Sequence, residues 1–127
     1  MAAKIVIIDD DSDILEASSL VLKAKGYEVL TAQNPEDGLK LVKESSPDLI
    51  ILDVIMVEPD DGFFLAQRLR KEGFTIPILM YTSVSKSTGL QFGIGELVPV
   101  DDFIEKPISP ELLIAKVEKF LKVRTEN

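Results

Sequence analysis

Asp48-Leu49-Ile50-Ile51-Leu52-Asp53-Val54 holds four consecutive apolar residues between two carboxylates. Ser46-Pro47 before it and Glu58-Pro59 after it break the chain. A run this short and this apolar reads as a strand buried on both faces, the kind found where helices cover a parallel sheet. Asp53 then stands at the strand's carboxyl end, and in open α/β sheets that rim is where ligands bind.

Working outward, Ile5 to Ile8 is a second apolar run, and it ends in Asp9, Asp10 and Asp11. Asp11-Ser12-Asp13 supplies N-cap and first-turn chemistry for a helix over 12–25. Its expected inner stripe is Ile14, Ala17, Ser18, Val21 and Leu22, with Gly26 closing it. Glu28 to Ala32 is a shorter and less apolar strand, expected at a sheet edge. Asn34-Pro35 starts a second helix, with Asn34 as cap, Pro35 at the first position and Asp37 close to a capping box. Leu39 and Val42 face inward, and the helix ends near Ser45-Ser46.

Glu58-Pro59-Asp60-Asp61-Gly62 is turn chemistry. The helix after it is expected to bury Leu65, Ala66 and Leu69, to leave Arg68, Arg70 and Lys71 outside, and to stop at Gly73. Ile76 to Ser83 reads as a fourth strand, with Pro77 tolerated at its start. Gly89, Gly93, Gly95 and Pro99 make a regular long helix improbable over 84–100, where a loop with at most a short helix is expected. Asp102 to Lys106 is a short last strand. Ser109-Pro110-Glu111 caps a final helix whose Leu113, Val117, Phe120 and Leu121 face the sheet.

Strands alternating with helices give a (βα)5 chain and a parallel five-stranded sheet. The two most apolar early strands belong in its middle, and right-handed crossovers then give the order 2-1-3-4-5 in a doubly wound, flavodoxin-like α/β fold. Asp9, Asp10 and Asp53 meet at its switch point.

The chain has 127 residues, a length suited to one domain. No apolar run is long enough for a membrane span, and no signal peptide is visible. Without cysteine, disulfides and thiolate metal sites are excluded, which fits a cytoplasmic location. Without histidine, the carboxylates remain as the main functional acids. A net charge of -8 argues against direct binding to nucleic acid and suits a hard cation or a basic protein partner.

Three carboxylates at one rim repel: a pair about 5 Å apart costs roughly 3 kcal/mol at an effective dielectric near 20. Either some are protonated or a cation sits among them. An oxygen-only donor set favours Mg²⁺. The plainer reading, that Asp9–Asp13 only caps a helix, leaves Asp53 on a separate strand unexplained. Thr82 ends the fourth strand and Lys106, before Pro107, ends the fifth, at the same rim. A hydroxyl and an ammonium facing a metal and an aspartate make a pocket for a phosphoryl group.

Four stretches, Ile8-Asp9-Asp10-Asp11, Ile51-Leu52-Asp53-Val54, Met80-Tyr81-Thr82-Ser83 and Asp102-Phe103-Ile104-Glu105-Lys106-Pro107, resemble the receiver domain of two-component response regulators. The resemblance extends over essentially the whole chain. Only Arg124-Thr125-Glu126-Asn127 follow the last expected helix, so a single stand-alone receiver domain over residues 1–127 with no output domain is expected, unless the chain is a fragment of a longer one. The resemblance implies Asp53 as phosphoacceptor from a histidine kinase or a histidine phosphotransfer protein. Asp10, Asp53 and the Ile55 carbonyl would hold Mg²⁺ directly, and Asp9 through water. Thr82 would be the switch hydroxyl and Lys106 the counter-ion of the phosphoryl group. Phe103 matches the family's aromatic switch position, although core packing explains it equally well.

The family's output face comprises the helix between the fourth and fifth strands, the last strand and the last helix. Output would pass to a downstream protein, with a phosphorylation-dependent dimer as one form. The stretch after Asp53 is one residue longer than the family pattern and lacks its early proline. The 84–100 stretch is enlarged. Two residues past the acceptor and two past the switch threonine, the family places side chains that flank the attacking water. Here they are Ile55 and Val84, both apolar, which implies slow self-dephosphorylation.

Competing readings are weaker. An Mg²⁺-dependent phosphohydrolase with a nucleophilic aspartate needs a second acid where Ile55 stands. A dinucleotide or flavin binder needs a glycine fingerprint after a strand, and Gly93-Ile94-Gly95 does not follow one. A phosphorylation-independent adaptor would keep the fold without the chemistry. The expected protein is therefore a signalling module, not an enzyme.

Overall fold

The computed structural model describes residues 3–53, 61–82, 100–105 and 109–126. Its elements run β1 (Lys4–Ile8), α1 (Ser12–Ala24), β2 (Glu28–Ala32), α2 (Pro35–Ser45), β3 (Leu49–Asp53), α3 (Asp61–Lys71), β4 (Ile78–Thr82), β5 (Asp102–Glu105) and α4 (Pro110–Glu126). The five strands form one sheet in the order β2-β1-β3-β4-β5, and every pairing is parallel. This is the architecture expected from the sequence. The 84–99 part of the enlarged stretch lies outside the described residues.

Side-chain alternation along the strands builds two cores. Val6, Ile8, Ile50, Leu52, Ile78 and Met80 pack on Leu39 and Val42 of α2 and on Leu65, Ala66 and Leu69 of α3. Ile5, Ile7, Leu49, Ile51, Leu79 and Tyr81 pack on Leu15 and Leu22 of α1 and on Leu113, Val117 and Leu121 of α4. Every residue of β3 is buried, as its unbroken apolar run requires. β2 mixes exposed, half-buried and buried positions, which suits its place at the edge.

Local chemistry sets the element ends. The Asp11 carboxylate accepts from Asp13 N at 2.9 Å and Ile14 N at 3.4 Å, capping α1. Asn34 accepts from Asp37 N at 2.8 Å and returns a bond from Nδ2 to the Asp37 carboxylate at 2.9 Å, so the pair locks the first turn of α2. Gly26 and Gly73, with φ of 95° and 96°, turn the chain out of α1 and α3 through the left-handed region.

Three details differ from the expectation. On α1, Leu15 is buried and Ala17 exposed, so the inner face is centred on Leu15, Ser18 and Leu22, with Ile14 and Val21 on its flank. Apolar residues nearly encircle this helix, and periodicity alone could not choose the face. β4 begins at Ile78 instead of Ile76, because the Pro77 carbonyl already accepts from Ile50 N at 2.9 Å while proline can donate nothing. Arg70 does not point to open solvent. Its guanidinium reaches the Phe74 and Ile76 carbonyls at 3.1 and 2.6 Å and the Asp101 carboxylate at 3.0 Å.

Candidate functional site

The switch point between β1 and β3 decides what meets at the rim. Ile8 pairs with Leu52, so the next residues along the two strands, Asp9 and Asp53, leave the sheet side by side. Asp9 N still bonds the Ala32 carbonyl of β2 at 3.1 Å, which holds its backbone in the ladder direction one residue beyond β1. Asp9 is fully buried and Asp53 is 5% exposed, whereas Asp10 faces solvent. Two acids are thus desolvated while the third guards the opening. Such burial is unfavourable for a carboxylate unless partners compensate it.

One partner is local. Asp9 Oδ1 accepts from Asp11 N at 2.9 Å, and Asp11 itself caps α1. The turn between β1 and α1 therefore aims Asp9 with one bond and starts the helix with the next, leaving the helix's positive end beside the acids. One carboxylate oxygen from each of Asp9, Asp10 and Asp53 lies within 4.8 Å of the other two. A hard cation with ligands at 2.0–2.1 Å sets opposite oxygens about 4 Å apart, close to this spread. The donor set is all oxygen and anionic, so it fits a divalent cation of that kind. These three residues form an acidic cluster that can hold a metal.

β4 brings its end to the same rim. Tyr81 pairs with Asp53 across the sheet, and the backbone of Thr82 closes the strand opposite Glu105 of β5. Phe103 is half-buried against the core shared with α2 and α3, with its amide bonded to the Asp102 carboxylate at 2.8 Å. The same carboxylate receives Lys116 Nζ of α4 at 2.7 Å, joining the last strand to the last helix. Ile55, Val84 and Lys106 lie outside the described residues.

Sequence reasoning did not single out Gly38 or Tyr81. Tyr81 could have been found from the expected strand order, which sets the fourth strand beside the third. Gly38 carries no chemistry, and only the approach of α2 to β1 reveals it. Among the described residues, no helix is long and apolar enough to cross a membrane.

Known proteins share this fold. The family described as response regulator receiver domain matches residues 5–118. The probable transcriptional regulator ycf27 of Cyanophora paradoxa is 38% identical over 98% of this chain and 50% of its own length. The alkaline phosphatase synthesis transcriptional regulatory protein PhoP of Bacillus subtilis is 36% identical over 96% of this chain and 50% of its own. The chain thus spans about half the length of these curated relatives. Among solved structures, the chemotaxis protein CheY4 of Vibrio cholerae superposes with a TM-score of 0.85 at 29% identity, covering 94% of this chain and 99% of that one. A response regulator receiver domain protein of Methanospirillum hungatei gives 0.88 at 24% identity, over 99% and 98% of the two chains, a likeness of fold.

Proposed function

The chain belongs to the response regulator receiver domain family, and from that premise we propose that it is a phosphorylation-controlled signalling module with Asp53 as its acceptor. The observation that carries this reading is the convergence of Asp9, Asp10 and Asp53 within 4.8 Å at the ends of β1 and β3. A lone strand-end acid could be surface decoration. Two buried acids held beside a third are a polar cluster that burial alone disfavours.

The donor is a phosphohistidine on a histidine kinase or a phosphotransfer protein. A carboxylate oxygen of Asp53 attacks phosphorus as the phosphorus–nitrogen bond breaks. The bonding pair leaves with the imidazole, which takes a proton, and Asp53 becomes an acyl phosphate. Asp10, Asp53 and the Ile55 carbonyl would hold Mg²⁺ directly, and Asp9 through water. Bound Mg²⁺ supplies positive charge against the phosphoryl oxygens and the neighbouring acids. The Thr82 hydroxyl and the Lys106 ammonium take the remaining phosphoryl oxygens, and Phe103 follows the movement of Thr82.

Formation of the acyl phosphate biases a two-state equilibrium of the face that includes β5 and α4, and a downstream protein reads that face. We read residues 1–127 as one receiver domain, acting in the cytoplasm and without turnover on a foreign substrate. Intact mass after incubation with Mg²⁺ and a small acyl phosphate tests the reading. One added phosphoryl group is expected on the wild type and none on Asp53→Asn. Equal labelling of both would remove Asp53 from the role.

A further inference from the structure

Gly38 lies in the first turns of α2, with its amide bonded to the Asn34 carbonyl at 2.9 Å. Helix propensity favours alanine over glycine at such a position, and nothing in its backbone demands glycine, since its φ is not positive. The reason lies across the interface. A Cβ built on Gly38 would come 2.6 Å from Ile8 Cδ1 and 3.0 Å from both Ile8 Cγ1 and Cγ2. Cδ1 is a flexible tip, but Cγ1 and Cγ2 are the branches fixed to Cβ. Ile8 is also fully buried, and the close packing of protein interiors leaves a β-branched side chain little room to rotate.

Ile8 is the last residue of β1, and Asp9 follows it directly. Its backbone is fixed laterally by pairing with Ala32 on one side and Leu52 on the other. The Gly38–Ile8 contact is thus the point where α2 bears on the strand end that carries the acids. We infer that Gly38 is a positioning residue for the acidic site: α2 pressed against Ile8 fixes where Asp9 and Asp10 stand opposite Asp53. A methyl group at position 38 moves the end of β1, and the acids move with it. The consequence for metal binding rests on the functional reading above, whereas the consequence for the positions of Asp9 and Asp10 does not.

Gly38→Ala and the double variant Gly38→Ala with Ile8→Val test this. The second change removes Cδ1, the nearest atom at 2.6 Å, and the space it vacates lets the two Cγ branches, at 3.0 Å, give by the few tenths of an ångström that the added methyl needs. Val42→Ala is the control, because Val42 lies in the same core one turn further along α2. In metal-free protein, the backbone amide resonances of Asp9, Asp10 and Asp11 should shift in Gly38→Ala, return toward wild type in the double variant, and hold in Val42→Ala. Mg²⁺ affinity measured calorimetrically should fall about tenfold in Gly38→Ala, as when support around metal ligands is disturbed. It should recover in the double variant. Unmoved resonances in Gly38→Ala, or an equal displacement in Val42→Ala, would overturn the inference. Shifted and rescued resonances in a protein whose wild type ignores Mg²⁺ would uphold the positioning role and remove the metal reading alone.

Discussion

Asp101 Oδ2 accepts two hydrogen bonds, from the Arg70 guanidinium at 3.0 Å and from Ile78 N at 2.8 Å. Arg70 also closes on the Phe74 and Ile76 carbonyls, so one arginine joins the end of α3, the approach to β4 and the residue before β5. Asp101→Ala leaves the first amide of β4 without its side-chain acceptor and is expected to cost about 1–3 kcal/mol in urea denaturation. Asp101→Asn, which keeps an acceptor but loses the charge, should cost less. Stability equal to wild type in Asp101→Ala would show that solvent replaces the clasp.

Glu72 joins α2 to α3, with Lys43 at 2.8 Å and Arg68 at 2.9 Å. Hydrogen bonds from Lys43 and then Arg68 hold its carboxyl below the ordinary value of 4.5. The unfolded chain therefore takes up this proton at a higher pH than the folded one does. The stabilisation is complete above the ordinary value and is lost as pH falls through the lowered one. Wild type should exceed Glu72→Gln in stability near neutrality, and the two should converge as the solution is acidified below about 4.5. A gap unchanged by pH would assign the difference to packing.

The acids at the rim repel when no cation is present. Asp53→Asn removes one charge beside the buried Asp9 and should stabilise the protein in chelator by about 1–3 kcal/mol, depending on the effective dielectric. Mg²⁺ should stabilise the wild type by about 2.7 kcal/mol at a hundredfold excess over its dissociation constant, and the variant far less. Thermal scans with chelator and with Mg²⁺ read both effects. A wild type indifferent to Mg²⁺ would speak against a cation site.

Under the proposed function, the resemblance sets Ile55 and Val84 at the positions that would flank a water attacking phosphorylated Asp53, and both side chains are apolar. Ile55→Asn combined with Val84→Glu is expected to shorten the lifetime of the acyl phosphate by about tenfold or more, the scale of a positioned polar or basic group. Decay is followed by intact mass after removal of the donor. A double variant that keeps its phosphate as long as wild type does would discard this account of the lifetime.

Much of the fold was legible because its signals are local. The short apolar runs of β1 and β3, bounded by chain-breaking residues or acids, read as buried strands, and Asp11 and Asn34 marked helix starts by their own side chains. Strand order followed from connection rules, and the order alone brought Asp9 beside Asp53. What stayed hidden depends on distant partners. Arg70 looks like a surface charge until Asp101, 31 residues away, folds against it. The inner face of α1 depends on which apolar side its neighbours cover, and Leu15 wins over Ala17 only through packing. Gly38 has no side chain to announce it, and its meaning is the distance to Ile8.

Mapping the acceptor tests the central claim most directly. After phosphorylation with Mg²⁺ and a small acyl phosphate, borohydride reduces an aspartyl phosphate to homoserine, and peptide sequencing by mass locates it. Homoserine at position 53 alone is the predicted result. Homoserine at position 9 or 10, or a phosphoryl group that survives borohydride on a hydroxyl side chain, would contradict it.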